Sequence, residues 1–117
     1  MGVRIALMMT LLLTACEDVE VAPNRGDADA AARGKQMAQR LGCGACHMIP
    51  GIWPEGTTGP SLTDFRSRGL IAGRYANRPG ELAAFLLDPA GTAMPKQVMT
   101  RRDAVDIAAY LHSDNAR

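Results

Sequence analysis

The stretch Cys43-Gly44-Ala45-Cys46-His47 decides how the rest of the chain is read. It is a C-x-x-C-H run, the pattern of covalent haem attachment. The spacing has a chemical basis. Two thiols three residues apart each reach one vinyl group on the same edge of a porphyrin. The next residue, His47, then falls beneath the ring, where its imidazole can ligate the iron. Gly44 keeps the turn narrow, and Ala45 adds little bulk beside a macrocycle. Two other chemistries share part of the pattern. A thioredoxin-like dithiol sits at the end of a strand in a βαβ pattern, and the sequence shows no strand signal. A structural zinc site needs about four ligands, whereas this chain offers Cys43, Cys46, His47 and a distant His112.

Working outward, the 117 residues bound the protein to one domain. Aromatic residues make up 4% of the chain, thin for a core built from side chains alone. A buried haem supplies the missing flat apolar bulk. The N-terminal end has a different purpose. Arg4 forms a short positive region, and Ile5 to Leu13 is an apolar run too short to span a bilayer, as in an export signal. The run ends Leu13-Thr14-Ala15-Cys16, which resembles the lipobox of bacterial lipoproteins. The expected organisation is a signal peptide over 1–15, a lipidated Cys16 with a flexible acidic tether to residue 28, and a folded domain over 29–117. Lipid on Cys16 and haem on the other two cysteines leave none for a disulfide.

Charge follows the same division. Residues 17–32 carry five acids and one base, whereas residues 33–117 carry eleven bases and seven acids, an asymmetry hidden in the net charge of +1. A mildly basic domain fits an acidic docking face on a partner and salt-sensitive association. The tether contains Pro23, Asn24 and Gly26 and reads as a coil. About twelve such residues reach roughly 20 Å as a coil and roughly 40 Å fully extended.

Within the domain, Asp27 or Asp29 caps a helix that runs to about Leu41, and Gly34 inside it marks the close approach of another helix. Residues 48–61 hold six Gly and Pro and read as a loop whose apolar members Met48, Ile49, Ile52 and Trp53 cover a haem edge. Trp53 either packs on protein or donates its indole N–H to a haem propionate. Leu62 to Arg66 forms a short helical turn. Arg66, Arg68, Arg74 and Arg78 follow with no acid between Asp64 and Glu81. A buried propionate needs a cationic partner, and Arg68 is the candidate. A second helix starts at Asn77-Arg78-Pro79 and stops at Asp88-Pro89, with Leu82, Phe85 and Leu86 on one face. The loop from Ala90 to Met99 offers Met94 as a soft sulfur ligand opposite His47, with Met99 or His112 as the alternatives. Thr100 with Asp103 forms a capping box for a last helix to about Ser113, whose apolar stripe is Ala104, Ile107, Ala108 and Leu111. His112 reads as a surface residue.

Together these landmarks resemble a class I mono-haem cytochrome c: Gly34-Lys35-Gln36-Met37, the C-x-x-C-H run, Gly59-Pro60-Ser61-Leu62, Ala93-Met94-Pro95, and Asp106 to Leu111. Ser67-Arg68-Gly69, Asn77 to Leu82 and Leu87-Asp88-Pro89 are similar to the cytochrome c domain fused to subunit II of bacterial haem-copper oxidases. The resemblance implies an all-α fold, with three main helices and long loops around one covalent haem c. It implies terminal helices crossing near Gly34 and Tyr110, and a Pro60 carbonyl accepting from His47 Nδ1–H. Arg68 contacts a propionate, in a pocket that includes Leu62, Phe85 and the loop bearing Trp53. Phe85 stands where Trp is common, and Ala38 where a larger aromatic is frequent, which implies looser packing of the terminal helices. The implied function is one-electron transfer, with no catalytic residue, no small-molecule substrate and no nucleic acid. The implied location is the periplasmic face of a bacterial membrane, and the expected partner is a membrane redox complex, in first place a terminal oxidase. The partner contact is expected at the edge near Ala45, Ile49 and Pro95, with Lys96 and arginines at its rim. Two other readings accompany it: a fixed electron-entry subunit of a dehydrogenase or oxidase complex, and a gas- or peroxide-reactive haem protein with a labile Met ligand.

Overall fold

The structure, a computed structural model, describes residues 28–117. The expected signal peptide, Cys16 and nearly all of the tether lie outside the described residues. Three helices carry the fold: α1 (Ala28–Arg40), α2 (Pro79–Leu87) and α3 (Arg101–Leu111), with 3-10 turns at Cys43–Ala45, Phe65–Ser67 and Asp114–Ala116. Helices α1 and α2 both pack on α3, which is the most buried element.

The buried residues of α1 are all small: Ala30, Ala31, Gly34 and Ala38. Such a stripe lets two backbones approach. A Cβ built on Gly34 would lie 1.8 Å from the Asp106 carbonyl oxygen in α3, so only glycine fits. The crossing point is thus Gly34 against Asp106 and Ile107, about one turn before Tyr110. Ala38, too, is buried within the core cluster. Beside the crossing, Arg33 grips the buried Asp106 carboxylate with two bonds, Nε to Oδ2 at 2.8 Å and Nη2 to Oδ1 at 3.1 Å. A bidentate pair of this kind fixes rotation as well as distance.

Helix α3 starts at a complete capping box. Asp103 N–H donates to Thr100 Oγ1 at 3.1 Å, and Thr100 N–H donates to Asp103 Oδ2 at 2.8 Å. The Thr100 hydroxyl also donates to Asp103 Oδ2 at 2.7 Å, and with the amide bond it holds the Asp103 carboxyl below its usual range. Farther along, the Tyr110 hydroxyl donates to the Pro50 carbonyl and ties α3 to the loop after His47. Burial pushes the Tyr110 phenol up.

Several expectations need correction. His112 is not a surface residue; it is 1% exposed. Its ring meets Ala108 O at 2.9 Å through Nδ1 and Asn77 Oδ1 at 3.0 Å through Nε2, and stands edge-on to Phe65. The helical turn expected at Leu62–Arg66 forms instead at Phe65–Ser67, because Asp64 has φ +48°, outside the right-handed helical region. A small antiparallel ribbon was also not anticipated: β1 (Leu70–Ile71) pairs with β2 (Tyr75–Ala76), Leu70 opposite Ala76 and Ile71 opposite Tyr75. Ala72 and Gly73 at its tip both have positive φ, the geometry of tight hairpin turns that match strand twist.

Two outcomes follow from these contacts. Gly34→Ala forces the two backbones apart and is expected to cost about 3 kcal/mol or more, read as a lowered denaturant midpoint. Asp103 has a depressed folded-state pKa, so its contribution is present above the usual carboxylate range and lost as the pH falls through the folded value. Unfolding free energies of wild type and Asp103→Ala should therefore differ at neutral pH and converge in acid.

Candidate haem site

The site is delivered by the end of α1. Gly42, at φ +71°, ends the helix and turns the chain into the 3-10 segment Cys43–Ala45. The backbone then closes on itself: Ala45 N–H donates to Gly42 O at 2.9 Å and His47 N–H to Cys43 O at 3.0 Å. Cys43 is half-buried and Cys46 exposed, and neither is in a disulfide. Burial, with the neighbouring Cys46 as a smaller cause, pushes the Cys43 thiol up.

The glycine- and proline-rich loop after the motif runs back along it. Gly56 N–H donates to Gly44 O at 2.8 Å, Gly59 N–H to Cys46 O at 2.7 Å, and Leu62 N–H to Met48 O at 2.8 Å. Close approach explains the glycines: a Cβ on Gly44 would lie 2.6 Å from Pro54 O, and one on Gly59 2.5 Å from His47 Cε1. The His47 ring therefore rests against bare backbone. Its Nδ1–H donates to the Pro60 carbonyl at 2.7 Å, the contact the resemblance implies. A carbonyl can only accept, so the proton of a neutral ring sits on Nδ1 and the lone pair on Nε2. That tautomer is the one an iron ligand needs.

The other candidate pocket residues lie on later segments. The Arg68 guanidinium donates to the Ser61 carbonyl, one residue beyond Pro60, and lies 5.8 Å from the Phe65 ring centroid. One N–H of its five is thereby committed. Leu62, Phe85, Met94 and Met99 are half-buried and pack against the core cluster. The Phe85 ring is 6.3 Å from Tyr75.

The loop does not present its apolar residues as expected. Ile49 and Ile52 pair across Pro50-Gly51 and point into the core, 2% and 3% exposed. Ile49 therefore contributes nothing to an exposed docking edge. Trp53 is 77% exposed. Its backbone, not its indole, is held: the Gln39 amide donates to Trp53 O at 2.6 Å and accepts from Trp53 N–H at 3.2 Å. Gln39 and Asn77 were the residues that sequence reasoning missed. Asn77 Nδ2 donates to Phe65 O at 2.7 Å and Arg68 O at 3.0 Å, fixing the segment that bears Arg68. A helix-start reading of Asn77-Arg78-Pro79 masked this role; no local signal announces a bond to residues so far away.

The donor set fits a covalently held porphyrin. Two unpaired thiols sit at the needed spacing, an imidazole keeps Nε2 available, and half-buried apolar side chains come from three separate segments. Among the described residues, no three His, Cys, Asp or Glu side chains gather into a metal cluster of another kind.

Residues 31–114 match the family model described as Cytochrome c. The chain belongs to the cytochrome c family. Members of this family bind haem c covalently, and Cys43–His47 is the matching motif, so haem c is the cofactor and electron carriage the general function. A curated relative, cytochrome c oxidase subunit 2 of Alkalihalophilus pseudofirmus, is 35% identical over 87 residues, covering 69% of this chain. The chain spans about a quarter of that relative's length, 25%. Among solved structures, the c-type cytochrome SorU from Sinorhizobium meliloti superposes with a TM-score of 0.56 at 18% identity, over 75% of this chain and 92% of that one. That likeness bears out the fold: a cytochrome c arrangement of three helices, to which the structure adds the small ribbon.

Proposed function

We propose that this cytochrome is a membrane-tethered one-electron carrier that feeds a terminal oxidase. The observation that carries the proposal is the His47 ring, pinned through Nδ1 to Pro60 with Nε2 left to bind iron, inside a C-x-x-C-H run. When bound, haem c supplies a metal that cycles reversibly between two oxidation states. The chain's residues determine how it is held. Cys43 and Cys46 would hold the group through two thioethers, which would keep it from being lost outside the cytoplasm. His47 would ligate the iron through Nε2, its basicity raised by the Pro60 carbonyl. Met94 would supply a sulfur ligand, and a Met/His pair would raise the reduction potential. Leu62 and Phe85 would exclude water, and the remaining N–H groups of Arg68 would serve a propionate. Trp53 lies outside the apolar set and is offered to solvent.

The location and partner rest on the N-terminal sequence and on the oxidase relative. Residues 1–15 act as an export signal, and lipid on Cys16 holds the domain at the periplasmic face. Among the described residues no helix is long and apolar enough to cross a membrane. Exposed Ala45 and Pro95 form the apolar centre of the docking edge, and Lys96, Arg101 and Arg102 its basic rim. The oxidase identity of the partner is an association through the relative that carries this domain.

Two experiments test the reading. Met94→Ala is expected to abolish the weak sulfur-to-iron band near the red end of the oxidised spectrum, and Met99→Ala to leave it; the reverse result moves the ligand to Met99. Cys16→Ser is expected to release the protein in soluble form, and continued sedimentation with membranes would contradict the lipid anchor.

A further inference from the structure

Of the four arginines between Asp64 and Glu81, Arg74 has a partner that no sequence pattern announces. It follows the tip of the ribbon, where its backbone N–H closes the turn onto Ile71 O at 3.0 Å. Its Nη2 donates to the carbonyl of Gly91, a residue that follows α2 in the chain, at 2.7 Å. Gly91 lies in the turn that opens the loop bearing Met94. In that turn Thr92 N–H donates to Pro89 O at 3.2 Å, and Thr92 Oγ1 donates to the same carbonyl at 2.7 Å. The Thr92 hydroxyl then accepts from Met94 N–H at 3.3 Å. Gly91 has φ +79°, and a Cβ there would come within 3.2 Å of Arg74 Nη1.

The loop is otherwise self-contained. Among the described residues, the remaining hydrogen bonds of 89–99 stay within the loop. The Arg74 bond alone ties its backbone to another segment. We propose that Arg74 is a positioning residue for the Met94 loop: by clamping the Gly91 carbonyl it sets how readily Met94 leaves the iron. The inference rests on Met94 being the axial ligand. Its physical content is a closed path, from ribbon tip to Gly91, through the Thr92 hydroxyl, to the Met94 amide. Removing the clamp removes the one hydrogen bond that ties the loop to another segment among the described residues and leaves only its packing on the core, so the open form of the loop gains population without any change at the haem attachment.

The test uses the haem-loaded, full-length protein and imidazole as a competing ligand. In Arg74→Ala, imidazole is expected to displace the sulfur-to-iron band of the oxidised protein at about three- to tenfold lower concentration, the range for an exposed charge-assisted bond. Arg74→Lys, which keeps one donor near the carbonyl, should recover part of the effect. Arg66→Ala, whose partner is Asp114 at 2.6 Å, should leave the imidazole titration at wild type. Equal imidazole titrations for wild type and Arg74→Ala overturn the clamp. So does an equal effect of Arg66→Ala, which would make the change a matter of net charge. The premise is read separately: a wild-type spectrum without the band, or a band that survives Met94→Ala, removes the ligand assignment and the clamp's purpose with it.

Discussion

The contact between Gly34 and the Asp106 carbonyl sets the geometry of this cytochrome. Two helices meet there with no side chain between them, and the Arg33–Asp106 pair locks their rotation. Gly34 lies nine residues before Cys43 on a helix that ends at Arg40, so the crossing determines where the attachment motif emerges. Helix α3 and its cap then anchor two further segments: Tyr110 holds Pro50 in the loop after the motif, and His112 holds Asn77 just before α2. A bulkier residue at the crossing would displace all of these at once.

From that frame, the site is built mainly by backbone. The loop over 48–62 tracks the motif through three amide-to-carbonyl bonds, and bare glycines let it come close enough. The only polar side chain in the motif, His47, is fixed by a carbonyl that can accept and not donate. This settles the tautomer without a carboxylate, so no formal charge is placed beside the ring. The loop bearing Met94 is built on a different plan. It is held by a turn, a hydroxyl and one reaching guanidinium, and so its hold can be tuned by single side chains.

The sequence made the helices legible where the signals are local. Pro79 opens α2 and Asp88-Pro89 closes it, Thr100 and Asp103 announce the box that starts α3, and Gly34 marks a crossing. The attachment motif was legible because thioether chemistry dictates its spacing. Features that depend on distant partners were not legible. His112 is buried because Asn77, thirty-five positions earlier, offers its oxygen. Ile49 and Ile52 are buried where Pro50-Gly51 folds them into a bridge, which takes Ile49 off the exposed edge. The ribbon has two residues per strand, too few for an alternating pattern to register. Arg74 looked like three other arginines until the fold placed Gly91 beside it.

The account stands on a porphyrin joined to Cys43 and Cys46 by carbon–sulfur bonds. The direct measurement is to unfold the coloured protein, extract it with acidified organic solvent, and weigh the peptide containing residues 43–47. The account predicts that the colour stays with the polypeptide and that this peptide is heavier by one haem. Colour passing into the solvent, with both thiols left free to alkylate, would contradict it.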